Sequence, residues 1–189
     1  LQRLRLSSID CVEVDENFNE VLKDQRVMPH LHLSIQSGDD MILKRMKRRH
    51  NSKDIFQFVD RCKKIRKDIS FGADIIAGFP TETDTMFENT YKLLRENEIS
   101  HLHIFPFSPK NNTPASRMPQ VSKSITKKRA KVLRDLGELI LKKVKSKLSL
   151  PREILIEELN SGLAIGYDQN YIKHKVPLVG VPVGEVIRI

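Results

Sequence analysis

Apolar positions follow two periods along this chain. Short aliphatic runs alternate with segments whose apolar residues fall three or four apart. The runs are Leu4 to Ile9, Leu31 to Gln36, Gly72 to Gly78 and Leu102 to Phe107, and each reads as a strand. An amphipathic stretch, Asn17 to Lys23, follows the first run. After the second, Asp39-Asp40 can cap a helix carrying Met41, Ile42, Leu43 and Met46. Another helix is predicted from near Ser52, with Ile55, Phe58, Val59, Cys62 and Ile65 on one face. Gly78-Phe-Pro80 breaks the third run, and Thr81-Glu-Thr-Asp84 has the capping-box pattern ahead of a helix to Glu96.

Strand–helix–strand alternation with short loops predicts βαβ units, a parallel sheet and right-handed crossovers. Four such strands could form an open sheet or part of a barrel. Either way the ligand lies at the C-terminal strand ends, which carry Ser7, Ser8, Gln36, Gly78 and Phe107.

A proline-containing polar loop, Ser108 to Pro119, leads to a long predicted helix from Ser122 to Leu148. Its apolar positions include Ile125, Val132, Leu136, Leu139, Ile140 and Val144. Its basic residues are Lys123, Lys127, Lys128, Arg129, Lys131, Arg134, Lys142, Lys143, Lys145 and Lys147, opposed only by Asp135 and Glu138. Pro151 ends the helix. Beyond it, Glu153–Leu159, Leu163–Tyr167, Tyr171–Val176 and Val183–Ile187 read as short strands punctuated by Gly162, Gly166, Gly180 and Gly184. That pattern predicts a small β-barrel of a kind that often binds oligonucleotides. The chain thus divides into an α/β part, residues 1–149, and a β module, residues 150–189.

Charge changes the picture. The formal net charge is +9, and the long helix holds nearly all of the excess. A localised basic surface points to nucleic acid, against the plainer reading of a solvated helix face. Only two cysteines occur, Cys11 and Cys62, far apart and in apolar-periodic stretches. They read as buried thiols, which argues against a disulfide scaffold or a self-contained zinc or iron–sulfur site. No run approaches the roughly 20 apolar residues of a membrane span, and no signal peptide opens the chain. A cytoplasmic protein with no membrane partner is expected. Leu1-Gln-Arg-Leu-Arg-Leu-Ser7 reads at once as strand, as expected of a domain cut from a longer chain.

Three blocks could carry chemistry. In the first, Asp74-x-Ile76-x-Gly78-Phe79-Pro80-x-Glu82, a glycine at a strand end lets the backbone approach a ligand, although a plain strand-to-helix turn would look the same. Asp74 inside an apolar strand requires a partner. In the second, alternation places His32, Ser34 and Gln36 on one face of a strand. Gln36 can both donate to and accept from ribose hydroxyls. An arginine of the following Lys44–Arg49 stretch can pair a carboxylate, though such a cluster also suits a solvated helix end. The third block is His101-x-His103-x-Phe105-Pro106-Phe107-Ser108-Pro109, then Thr113-Pro114-Ala115. Its paired histidines have no clustered ligand in the sequence and read as structural. Phe105 and Phe107 read as core or pocket wall.

The three blocks together, in this order, resemble the radical S-adenosylmethionine (SAM) tRNA methylthiotransferases. That family reads His-Leu-x-x-Gln-Ser-Gly with Leu-x-x-Met-x-Arg, then Asp-Ile-Ile-x-Gly-Phe-Pro-x-Glu, then Phe-x-Phe/Tyr-Ser-Pro with Gly-Thr-Pro-Ala. Here Asn112 replaces that last block's glycine, and Thr81 stands where glycine commonly precedes Glu82. The C-terminal module resembles the family's TRAM domain, most clearly at Gly166-Tyr-x-x-Asn170-Tyr171-Ile172. Arg5-Leu-Ser-Ser-Ile-Asp10 and His30 to Asp40 resemble the branch acting on threonylcarbamoyladenosine beside the anticodon.

The resemblance implies the last four βα units of a six-stranded partial radical SAM barrel, followed by a TRAM-like barrel. It implies SAM contacts at Ser8, Gln36, Arg48, Gly78 and Phe107, with Gln36 at the ribose, Arg48 at a carboxylate, and Gly78 and Phe107 on the adenine side. It implies tRNA, and not DNA, as partner, met by Lys127, Lys128, Arg129, Lys131, Arg134, Asn170, Tyr171 and Lys173. The family's two 4Fe–4S clusters are held by cysteine sets that this sequence lacks, so the chain is expected to be inactive alone unless an N-terminal half supplies them. The rival expectations are a non-catalytic tRNA-binding remnant and a truncated product without function. Either way Leu4 to Ile9 is expected to be an exposed sheet edge.

Overall fold

The computed structural model describes residues 2–148, 151–177 and 180–189. The expected division between residues 149 and 150 falls on residues outside these. Strand β1 (Leu4–Ile9) leads through helix α1 (Phe18–Lys23) to β2 (Val27–Gln36). Helices α2 (Asp40–Arg45) and α3 (Ser52–Ile65) precede β3 (Ser70–Ala77), and α4 (Asp84–Glu96) precedes β4 (Ile99–Pro106). The four strands pair in sequence order, all parallel. Successive right-handed crossovers that never reverse the strand order put the helices on one face, as in a barrel wall.

Alternation along β2 sorts its residues between two environments. Leu31, Leu33 and Ile35 are buried, whereas His32, Ser34 and Gln36 are partly open on the other face. The buried set joins Phe71, Ala73 and Ile75 of β3 and Ile104 of β4. Against them pack Ile55, Phe58, Val59 and Cys62 of α3, Leu93 and Leu94 of α4, and Ala130, Leu133, Leu136 and Ile140 of α5 (Lys123–Lys147). The sheet is therefore greasy toward its helices and polar on its inner face. β1 forms one edge of the sheet, pairing only with β2 among the described residues.

Local capping starts the helices from α2 onward. Asp39 accepts hydrogen bonds from the Met41 and Ile42 amides, and Asn51 with Asp54 forms a capping box. The expected box at Thr81 is corrected: Thr83 is the N-cap of α4, accepting from the Met86 amide. Thr81 instead adopts φ +68° and donates its N–H to the Pro119 carbonyl, tying the turn to the polar loop.

After α5 the chain forms an antiparallel sheet: β5 (Glu153–Asn160), β6 (Leu163–Asp168), β7 (Lys173–Pro177) and β8 (Val186–Arg188), in the order β7-β6-β5-β8. Ser161 and Gly162, both at positive φ, make the two-residue hairpin turn joining β5 and β6. β7 begins two residues later than the pattern suggested, because Tyr171 takes φ +63° within a turn closed by its N–H to the Asp168 carbonyl. Ile154, Ile156 and Ala164 form the small core, covered by Val176, Val181 and Ile187. Among the described residues no helix is long and apolar enough to cross a membrane.

Candidate functional site

The C-terminal ends of β2, β3 and β4 open into a cleft of about 530 Å³ lined by Gln36, Asp74, Ile76, Phe105 to Ser108, Lys110, Thr113 and Ala115. Parallel strands place their loops at this end, so the loop after β4 folds over it. Gln36 sits here at φ +68°, a conformation uncommon for a residue with a side chain and frequent at ligand sites. The Phe107 N–H donates to the Ala77 carbonyl at 2.8 Å, which extends the β3–β4 ladder by one rung. Its ring meets Phe79 edge-on at 5.3 Å.

Of the five positions implied to touch SAM, Gln36 and Phe107 share this cleft. Ser8, exposed at φ +57°, lines an adjoining hollow of about 260 Å³ with Arg5, His30, His32, Asp74, His103 and Tyr171. Asp74 is the wall common to both. Arg48 is half-buried and lines neither space. Gly78 lines neither as well: its N–H donates to Glu82 Oε2 at 3.0 Å. With φ +72° and Thr126 packed where a Cβ would project, only glycine suits that position. The Gly78 amide is thus spent on its own turn.

Arg129 answers the same carboxylate from α5, donating to Glu82 Oε2 and Asp84 Oδ1 at 2.7 Å each. Arg129 and Glu82 are both buried. Burial pushes the Glu82 carboxyl up, against the pull of the Arg129 charge and the Gly78 amide. This corrects the expectation of Arg129 at an RNA surface: it is an interior clamp between α5 and the Gly78–Glu82 turn. Lys131 pairs with Asp135, Lys143 and Lys147 pair with Glu98, and Arg134 donates to the Ile104 carbonyl. Lys127 and Lys128 are exposed without an ion pair among the described residues.

Sequence reasoning found no third ligand beside the His101/His103 pair. The structure supplies one for His103 and separates the two histidines. Asp74 Oδ1 lies 3.0 Å from His32 Nε2 and 3.2 Å from His103 Nδ1. The three residues come from three strands, and Asp74 and His103 are direct neighbours in the β3–β4 register. Short-range spacing in the sequence holds no sign of this; only the strand register does. His101 belongs to another cluster, its Nε2 donating to the Tyr171 carbonyl at 3.0 Å.

That second cluster docks the antiparallel module on the early part of the parallel strands. The Arg5 guanidinium donates to the Asp168 carbonyl at 2.6 Å, and Asn170 Nδ2 donates to the Pro29 and Asp68 carbonyls at 3.0 and 2.6 Å. The Tyr171 ring stacks on Tyr167 at 4.7 Å and on His30 at 5.3 Å, with Arg5 over it at 4.9 Å. Asn170 is buried, which corrects its expected place at an RNA surface. It accepts from Arg152, whose other bond goes to the fully buried Asp168. Tyr171 keeps an exposed edge, and Lys173 is exposed with its ammonium 5.9 Å from the Tyr167 ring. Burial lowers His30 to about 2 and His101 to about 4, so both are neutral in this interface.

The cysteines do not fit an iron–sulfur cluster. Burial pushes both thiols up to about 12, and Cys62 is fully enclosed in the core. Cluster ligands are thiolates in sets of three or four. Gln36, Phe107 and the loop after β4 fit the nucleoside part of SAM better, offering a polar side chain beside an aromatic wall.

Residues 7–94 match the radical SAM superfamily. Two solved structures share the fold: coproporphyrinogen III oxidase from Escherichia coli, a radical SAM enzyme, at TM-score 0.60, and Elp3 from Methanocaldococcus infernus at 0.54, each 17% identical. The first match covers 73% of this chain and 32% of that one, the second 88% and 52%. The polar-faced parallel sheet is thus a radical SAM α/β fold. Within that class the chain is similar to tRNA methylthiotransferases. It is 50% identical over 182 residues to the threonylcarbamoyladenosine tRNA methylthiotransferase of Rickettsia prowazekii, covering 93% of this chain and 41% of that protein. It is 41% identical over 187 residues to that of Thermotoga maritima, covering 97% and 43%. The chain therefore spans about two-fifths of the length of these relatives.

Proposed function

We propose that this chain forms the SAM- and substrate-facing part of a methylthiotransferase that acts on threonylcarbamoyladenosine in tRNA. The observation that carries the reading is 50% identity over 182 residues to a protein named for that reaction. Gln36 and Phe107 are the SAM contacts in the cleft, with Ser8 at its neighbouring hollow. Arg48 stands outside both spaces, and Gly78 acts by shaping the turn. The antiparallel sheet is a TRAM-like RNA module. Lys127, Lys128, Lys131, Arg134, Tyr171 and Lys173 form the tRNA surface with it. The cluster thiolates come from sequence outside these 189 residues, because neither Cys11 nor Cys62 is suited to the task.

Anaerobic co-expression with an N-terminal half that carries both cysteine sets tests this. Mass spectrometry of bulk tRNA is expected to show 2-methylthio nucleoside only when both chains are present, and Gln36→Ala is expected to abolish it. If even a fused protein of the two halves makes no such nucleoside, the chain is at most an RNA-binding module.

A further inference from the structure

We propose that His32, Asp74 and His103 form a binding site for a first-row divalent metal ion such as Zn²⁺ or Fe²⁺, independent of any thiolate and separate from the methylthiotransferase reading. Two imidazoles and one carboxylate are the donor set that suits these ions. The three ligand atoms lie within 4.8 Å of one another, and the two nearest separations are 3.0 and 3.2 Å. Ligands bound 2.0–2.1 Å from a common ion at tetrahedral or octahedral angles stand about 2.8–3.4 Å apart. An ion entering between these side chains thus requires little rearrangement.

The support beneath them is rigid. The ligands project from β2, β3 and β4, three neighbouring strands of one hydrogen-bonded sheet. The His32 and His103 ring centroids stand 4.7 Å apart with the rings tilted by 36°, and each ring turns a nitrogen toward the same carboxylate oxygen. Gly72, beside His32 in the register, leaves room for the imidazole: a Cβ there would stand 2.8 Å from His32 Nδ1. Any larger residue would push His32 out of line with Asp74. His32 is largely enclosed and His103 is open, so the site has a fixed floor and a reachable side. All three residues line the hollow of about 260 Å³, so a ligand position of the ion left free by the protein would face that space. Three protein ligands with an open position distinguish reactive metal sites from closed structural ones.

The 189-residue chain, freed of metal with a chelator, would be titrated with Co²⁺ and, separately, with Zn²⁺ by calorimetry. One equivalent is expected to bind, and the cobalt form is expected to show ligand-field absorption without a thiolate charge-transfer band. His103→Ala removes an open side chain, and Asp74→Asn keeps the shape of the carboxylate. Each is expected to weaken binding by more than the roughly 10–100-fold that follows loss of a residue that only hydrogen-bonds to a ligand. Thermal unfolding of each variant without metal separates ligand loss from misfolding, and His103→Ala is expected to melt as the parent does. Failure of the parent chain to bind, binding unchanged in the His103→Ala chain, or a thiolate band would each overturn the proposal.

Discussion

At the residue scale, the Gly78–Glu82–Arg129 clamp shows how a motif can look like a ligand site and serve the fold. Glu82 is buried, accepts the Gly78 amide and is answered by one guanidinium. Removing Arg129 strands a buried carboxylate. Arg129→Ala is therefore expected to cost about 3–5 kcal/mol in urea denaturation at neutral pH. Adding Glu82→Gln to it is expected to recover part of that loss, because no uncompensated charge then remains inside. Equal stability of the single and double variants would contradict this account. The motif's residue types were legible in the sequence. What Arg129 does with them was not, because it lies 47 residues beyond Glu82, on a helix whose other basic residues largely face water.

At the scale of elements, the antiparallel module is held to the parallel sheet by backbone carbonyls and neutral histidines. The burial that holds His101 at about 4, and His30 lower still, disfavours the charged imidazole in the folded state. In the unfolded chain these groups take a proton near 6.5, so the unfolded state binds more protons below that pH. Their contribution to stability is complete above pH 6.5 and is lost as pH falls from there, toward 4 for His101 and toward 2 for His30. Between pH 7 and 5 the loss is expected to be at most about 2 kcal/mol per histidine. Denaturation at the two pH values checks this, and His101→Gln is expected to remove one histidine's share. Periodicity located these strands and helices, since burial on one face writes itself into alternation and into three-to-four spacing. It started β7 too early, because a positive φ at Tyr171 is a turn property that its side chain does not announce.

At the scale of the whole molecule, the +9 charge is partly consumed within the fold. Arg129, Lys131, Lys143 and Lys147 have carboxylate partners, whereas Lys127 and Lys128 face solvent. Replacing Lys127 and Lys128 with alanine is expected to weaken tRNA binding. It should reduce the slope of log affinity against log salt by about one for each phosphate no longer neutralised, with unchanged melting. Fluorescence anisotropy between roughly 50 and 200 mM salt reads this directly. An unchanged slope would remove the helix from the RNA surface. The sequence by itself determined the parallel α/β part, the antiparallel strands after it and the resemblance to tRNA methylthiotransferases, because periodic burial and contiguous motifs are local properties of a chain. Only the tertiary structure decided which charged groups turn inward and which side chains meet across strands. Asp74 between His32 and His103 is set by strand register, and Glu82 against Arg129 by helix packing. Both are relations between distant residues that no local pattern carries.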